Sequence, residues 1–255
     1  MTGALLLPVL LFLIHQGGWA FSGFILLVVA CASWEWRRMV GLGPGEGAWL
    51  ALGGLGICLA ASRPDAAGTM LLSVAGFVLG TLLLGLRRAG GDSRRRSGDL
   101  LLGFLYVGLL PAFLLRMRAL PDGRAAVLLT YATVFLCDTC AFAIGRLFGR
   151  RPLWSRVSPR KTWEGAVAGL LGAVIAALAG RAWFAGFLGP GQAVGFGAIV
   201  GVLGQAGDLV ESQWKRETGV KDSSALIPGH GGVLDRFDNL HFVAPILYSY
   251  LVCCC

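Results

Sequence analysis

Asp208, Glu211, Glu217, Asp222, Asp235 and Asp238 crowd into one stretch of a chain that has only 14 acidic residues in all. The same stretch carries Lys215, Arg216, Lys221, Arg236 and His230, one of 3 histidines. Charged residues make up 14% of the sequence, so ionisable groups gather here in an otherwise apolar polypeptide. Such groups are costly away from water and mark a functional site by default. Asp208, Glu211, Ser212 and Lys215 are spaced i, i+3, i+4, i+7, which makes one polar stripe on a helix. Hard oxygens on Asp208 and Asp235 suit Mg2+, which binds through carboxylates, waters and substrate phosphates. The run Pro228-Gly-His-Gly-Gly surrounds His230 with glycines, Gly231 and Gly232 among them, whose N–H groups can form an anion-binding concavity. Lys215, Arg216, Lys221 and Arg236 would neutralise a polyphosphate. The plainer alternative makes these charges a solvated helix end and the glycines a simple turn. No G-x-x-x-x-G-K-[ST] is present, so the stretch is not a P-loop.

Two further groups belong with it. Asp138 stands in an otherwise apolar segment and is followed by Gly145-Arg146. It is either a used intramembrane carboxylate or a helix-packing one bonded to a neighbouring hydroxyl. Ser158-Pro-Arg160-Lys161-Thr162 opens the next apolar run, where hydroxyls, cations and helix N–H groups can bind a phosphate. Ser158 or Thr162 can equally serve as the helix cap. Cys137 and Cys140 have a C-x-x-C spacing that can mean redox or metal chemistry. Inside an apolar helix, with no second pair, they read better as buried small hydrophobes.

These groups need a frame, and the frame is a membrane. The chain is 56% hydrophobic with mean hydropathy +0.71, against ~45–50% apolar for soluble domains. Apolar stretches at about 4–14, 19–34, 48–61, 68–86, 100–115, 125–144, 165–183, 194–210 and 242–253 predict an all-α polytopic membrane protein of about nine transmembrane helices. The first stretch lacks the basic n-region of a signal peptide and is read as a short or tilted span. We expect one transmembrane domain over 1–255, with 1–124 as frame and 125–255 carrying the catalytic spans and loops. With the N-terminus in the cytoplasm, alternate loops hold 17 of the 22 basic residues, and the acidic cluster shares their side. That is the positive-inside pattern, so the net charge of +8 points to lipid headgroups and not to nucleic acid. Glycines such as Gly165 and Gly169 would let helices approach closely.

The order Ser212-x-x-Lys215-Arg216, Lys221-Asp222, His230-Gly231-Gly232-x-x-Asp235-Arg236-x-Asp238 resembles the signature of the phosphatidate cytidylyltransferase family (CDP-diacylglycerol synthases), over 27 positions with the spacing intact. Asp138-Thr139 with Gly145-Arg146, and Ser158 to Thr162, also resemble family motifs. Trp214, Arg160 and Cys140 depart from the usual residues without removing a charged position. The resemblance implies transfer of CMP from CTP to phosphatidate, releasing pyrophosphate, at the cytoplasmic face of a bacterial inner membrane. It implies that Asp208 and Asp235 hold Mg2+, assisted by Asp138 and Asp238, and leaves room for a second cation such as K+ and for a homodimer. Lys215, Arg216, Lys221, His230 and Arg236 would bind phosphates or the departing pyrophosphate. Ser158, Arg160, Lys161, Thr162, Ser212, Gly231 and Gly232 would contact substrate. The rivals are a CTP-dependent enzyme for another lipid (an ether-lipid cytidylyltransferase or a polyprenol kinase), a cation transporter lined by Asp138 and Asp208, and an inactive homologue. The basic Gly-rich loop counts against the transporter, and the intact charged positions count against the inactive homologue.

Overall fold

A computed structural model describes residues 2–63, 65–86, 92–224, 226 and 231–254, with side chains from residue 8 onwards. The apolar runs fold as helices because a backbone in lipid must satisfy its hydrogen bonds internally. In chain order these are α1 (Thr2–Gln16), α2 (Gly18–Val40), α3 (Pro44–Ala61), α4 (Ala66–Leu86), α5 (Ser93–Gly103), α6 (Leu110–Arg118), α7 (Gly123–Phe148), α8 (Trp163–Trp183), α9 (Pro190–Glu217) and α10 (Leu234–Cys254). A π-helical stretch, Phe104–Leu109, joins α5 to α6 without a break. It precedes Pro111, which has no N–H to give; Leu110 N bonds Leu105 O instead, a wider turn that lets the span continue past the proline.

All nine expected apolar stretches lie on these helices. Among the described residues, six helical segments have the length and composition to cross a bilayer: α2, α4, the continuous α5–α6, α7, α8 and α9. At 15 residues, α1 spans only ~22 Å of a hydrocarbon core ~30 Å thick. α10 opens on Asp235, Arg236 and Asp238 before its apolar part begins.

The basic loop between α7 and α8 is not wholly irregular. It forms an antiparallel hairpin of β1 (Pro152–Trp154) and β2 (Ser158–Thr162), with Trp154 paired to Ser158 and Pro152 to Thr162. Thr162 ends β2 and caps α8, its Oγ1 accepting from Gly165 N at 3.2 Å.

Long-range contacts sort the helix ends into two groups. At one end Trp36 Nε1 donates to Asp99 O (3.0 Å), Arg96 bonds Glu46 (3.0 Å), and Lys161 meets Asp208 (2.5 Å). At the other, Arg118 Nε reaches Ile14 O, Arg116 reaches Tyr248 Oη, and Gln192 reaches Cys254 O. The alternation expected from the charges therefore holds. Arg37, Arg38, Arg94 to Arg96, and the basic residues of 146–161 and 215–236 share the first end, while Arg87 and Arg88 lie outside the described residues.

The helices α7 to α10 pack closely because small residues meet at their crossings. A Cβ on Gly165 would stand 2.7 Å from Ala141 O, and one on Gly207 would stand 2.8 Å from Phe242 Cβ. That proximity draws the polar ends of α9 and α10 together and makes room for a site between them.

Candidate active site

A cavity of about 800 Å3 opens at the basic end, bounded by the last turns of α7, the hairpin, the start of α8, α9 and the start of α10. Asp138, Arg146, Arg160, Lys161, Thr162, Asp208, Lys215, Asp235, Arg236 and Asp238 all line it. Residues from three separated motifs thus share one space.

The polar stripe of α9 divides between two neighbours. Asp208 faces the cavity, its Oδ2 2.5 Å from Lys161 Nζ and its Oδ1 accepting from Ser212 Oγ at 3.3 Å. Glu211 and Lys215 turn inward. Glu211 is fully buried and accepts from Tyr106 Oη at 3.0 Å, while Lys215 Nζ lies 3.2 Å from it. Lys215 also donates to Asp235 Oδ1 at 2.6 Å. Its ammonium is therefore held between two carboxylates.

Asp235 stands in the first turn of α10, ahead of that helix's apolar stretch. Its Oδ2 accepts from Ser223 N (3.0 Å), Ser223 Oγ (2.9 Å) and Gly232 N (2.8 Å). Burial raises this carboxyl, but Lys215 and the two N–H donors outweigh burial and hold it below the usual carboxylate range. Gly232 N–H is thus committed to Asp235. Gly231 turns the chain with φ +80°, a left-handed conformation that favours glycine.

Asp138 accepts from Asn239 Nδ2 with both oxygens at 2.9 Å, so its partner is an amide and not a hydroxyl. Asp238 is buried, with Oδ1 accepting from Asn239 N at 2.8 Å. Asp138 and Asp238 each lie near enough to Asp208 for their charges to repel. Among the described residues no three of His, Cys, Asp and Glu converge as a metal-binding group. Asp208 and Asp235 nonetheless both face the cavity, and each has an oxygen with a single partner among the described residues, which leaves acceptor capacity. Two such carboxylates, with waters and phosphate oxygens completing the shell, fit the chemistry of Mg2+.

Other expected residues stand apart. Arg216 and Lys221 are exposed and do not line the cavity, Arg216 donating to Val220 O at 3.3 Å. Ser158 lies at the far end of β2, also outside the lining, as do Gly231 and Gly232. His230 falls outside the described residues.

Four residues that the sequence reading left out of the site prove integral to it. Glu35 is fully buried and bonded to the Ser223–Ser224 segment and the start of α10. Tyr106 supports Glu211, Asn239 holds Asp138, and Ser223 holds Asp235. The signal for Glu35 was available: a carboxylate near an apolar span is costly by the same rule that singled out Asp138.

Residues 1–254 match the model of the Cytidylyltransferase family. A phosphatidate cytidylyltransferase of Staphylococcus aureus (strain COL) is 40% identical over 153 residues, 60% of this chain and 58% of that protein. A phosphatidate cytidylyltransferase of Staphylococcus haemolyticus (strain JCSC1435) gives the same figures. Phosphatidate cytidylyltransferase 4, chloroplastic, of Arabidopsis thaliana is 34% identical over 206 residues, 71% of this chain and 52% of that protein. The chain thus spans somewhat more than half the length of these curated relatives.

Proposed function

The chain belongs to the cytidylyltransferase family, and from that membership we propose that it transfers CMP from CTP to the phosphate of phosphatidate, giving CDP-diacylglycerol and pyrophosphate. The observation that carries this reading is the cavity of about 800 Å3 in which Asp208, paired with Lys161, neighbours Asp138 and Asp238 and is flanked by Arg146, Arg160 and Arg236. Its volume lies within the ~300–1,000 Å3 of small-molecule sites. Its position at a membrane-facing helix end lets one substrate stay in the leaflet while the other arrives from water.

The chemistry asks little of a base. A phosphate oxygen of phosphatidate bonds to the α-phosphorus of CTP as the bond from that phosphorus to the bridging oxygen breaks, and pyrophosphate leaves with its electrons. A phosphate monoester, with a second pKa near ~6, is already largely dianionic at neutral pH. The demand is for alignment and for cations where negative charge gathers. Arg146, Arg160 and Arg236 line the cavity as planar donors suited to phosphate oxygens. Lys161 fixes the orientation of Asp208, and Lys215 that of Asp235. Arg216 and Lys221, exposed beside the cavity, add to the field that draws an anionic nucleotide in. Asp208 and Asp235 would hold Mg2+, which when bound polarises phosphoryl oxygens and offsets their charge. The basic end would face the cytoplasm of a bacterial inner membrane, as the charge asymmetry favours.

The test is purified protein in detergent with labelled CTP, Mg2+ and a panel of lipid acceptors. We expect a lipid-extractable product with phosphatidate, abolished by EDTA and restored by Mg2+, and none when ATP replaces CTP. Product with a different lipid acceptor alone would overturn the assigned substrate. No nucleotide consumption by folded protein with any acceptor would overturn the reaction.

A further inference from the structure

Among the described residues, all that line the cavity come from Asp138 onwards, yet the segment that presents Asp235 is held by a carboxylate more than a hundred residues earlier. Glu35, near the end of α2, is 0% exposed, and four polar groups of described residues lie within hydrogen-bonding distance of it. Ser224 Oγ (2.6 Å) and Val233 N (2.8 Å) donate to Oε1, Leu234 N (2.7 Å) donates to Oε2, and Ser223 Oγ lies 3.0 Å from Oε2, its one proton shared between Glu35 and Asp235. Val233 and Leu234 are where α10 begins, and the first N–H groups of a helix have no partner within it. A carboxylate there satisfies them and complements the positive end of the helix dipole.

The same segment continues directly into the site. Ser223, bonded to Glu35, also bonds Asp235, and Gly232 runs between them. A Cβ on Gly232 would stand 2.0 Å from Ser223 Oγ and 2.6 Å from Glu35 Oε1, so the backbone is seated directly against the carboxylate. The end of α2 is itself anchored to the site's helices. Trp36 meets Trp214 of α9 edge-on at 5.2 Å and donates to Asp99 O at 3.0 Å.

We propose that Glu35 is a positioning residue: through Ser223, Ser224 and the first amides of α10 it fixes where Asp235 stands in the cavity. This rests on reading Asp235 as a site carboxylate under the function proposed above. Gln is a poor substitute for a specific reason. Each carboxylate oxygen accepts one backbone N–H, from Val233 or from Leu234, so either orientation of an amide sets a donor against a donor. A displacement of about 1 Å at a reacting geometry can cost roughly a hundredfold in rate.

The experiment uses the full chain in detergent, with Glu35→Gln and Ser224→Ala beside the wild type. Hydrogen exchange and steady-state kinetics are measured on each. For Glu35→Gln we expect faster amide exchange confined to peptides covering 223–236, with those of α7 and α8 unchanged. We also expect kcat to fall by about tenfold or more, ~1.4 kcal/mol per decade, with KM for phosphatidate unchanged. Ser224→Ala removes one donor without burying an unpaired charge, and is expected to lower kcat severalfold with the same local exchange change. A folded Glu35→Gln protein with wild-type kcat and exchange would overturn the proposal. If Glu35→Gln fails to fold, wild-type kcat in Ser224→Ala overturns it, and lowered kcat with unchanged KM supports it. Failure of the reaction itself is distinguishable, because the wild type would then form no lipid product while the exchange measurement still reads the hold of Glu35 on the segment.

Discussion

The candidate site is built from charged pairs, and each pair predicts a measurable trace. Asp208 and Lys161 join a helix to a hairpin at 2.5 Å, with Asp138 and Asp238 close behind. Asp208→Asn keeps the size of the side chain and removes the charge that the proposed cation needs. We expect kcat to fall by roughly 10²–10³-fold, in the range for loss of one electrostatic contact to a reacting centre, with the melting temperature little changed. Activity within a few-fold of wild type would remove Asp208 from the mechanism. Asp235 makes a different statement, about stability. Its carboxyl lies below the ordinary range in the fold, against the effect of burial, because Lys215 and two N–H groups favour its charged form. A depressed carboxyl stabilises the fold fully above its unfolded pKa, near 3.8, and loses that contribution as the pH drops through the lower folded value. The melting-temperature gap between wild type and Asp235→Asn should therefore be constant from about pH 7 to about pH 5 and should narrow below about pH 4. A gap that persists at low pH would show that the ionised carboxylate is not what stabilises.

At the scale of elements, the crossing of α9 with α10 brings Asp208 and Asp235 into one cavity. Gly207 is where the two helices meet, with Asp238 O 3.0 Å and Phe242 Cβ 2.8 Å from any added Cβ. Gly207→Val pushes the helices apart at the level of Asp208. Overpacking of this kind costs about 1–3 kcal/mol, and we expect lowered thermal stability together with lost activity, whereas an exposed glycine such as Gly186 should tolerate the same change. Stable, fully active Gly207→Val protein would contradict the account of this crossing. The sequence carried the helices because their apolar runs are long and their polar ends abrupt. The hairpin was hidden, because Ser158-Pro-Arg-Lys-Thr162 has no apolar alternation and its strands are set by pairing with one another. The π-helical stretch was hidden too, since its cause, Pro111, reads equally as a simple kink.

The whole molecule is organised end to end, with charge and hydrogen bonding sorted to opposite ends of an apolar bundle. The loops expected on one side do share one end, which supports placing that end in the cytoplasm. A membrane-impermeant maleimide tests this directly. Arg156→Cys, in the hairpin turn, should label in inside-out vesicles and not in spheroplasts, with native Cys253 and Cys254 at the opposite end showing the reverse preference. Label on the peptide that carries residue 156 in spheroplasts, in protein whose Cys253 and Cys254 are replaced by Ser, would invert the topology. Much of the site was legible because charged residues are scarce enough in this chain to stand out, and Asp138, Arg160, Lys161, Asp208 and Asp235 do line one cavity. For Glu35 the costly carboxylate beside an apolar span was readable but its partners were not, because they lie 188 and more positions away and nothing in local spacing links them. Glu35 and Tyr106, in the stretch expected to serve as frame, both bond residues of the second half.

The proposed reaction leaves the α-phosphorus of CTP on a lipid phosphate. The most direct measurement incubates the purified protein, phosphatidate and Mg2+ with CTP labelled at either the α- or the γ-phosphate, and follows the label into the lipid phase and into pyrophosphate. The account predicts α-label in the lipid and γ-label in pyrophosphate, in equal amounts. Gamma-label in the lipid would mean phosphoryl transfer to an acceptor, a kinase reaction, and would contradict it.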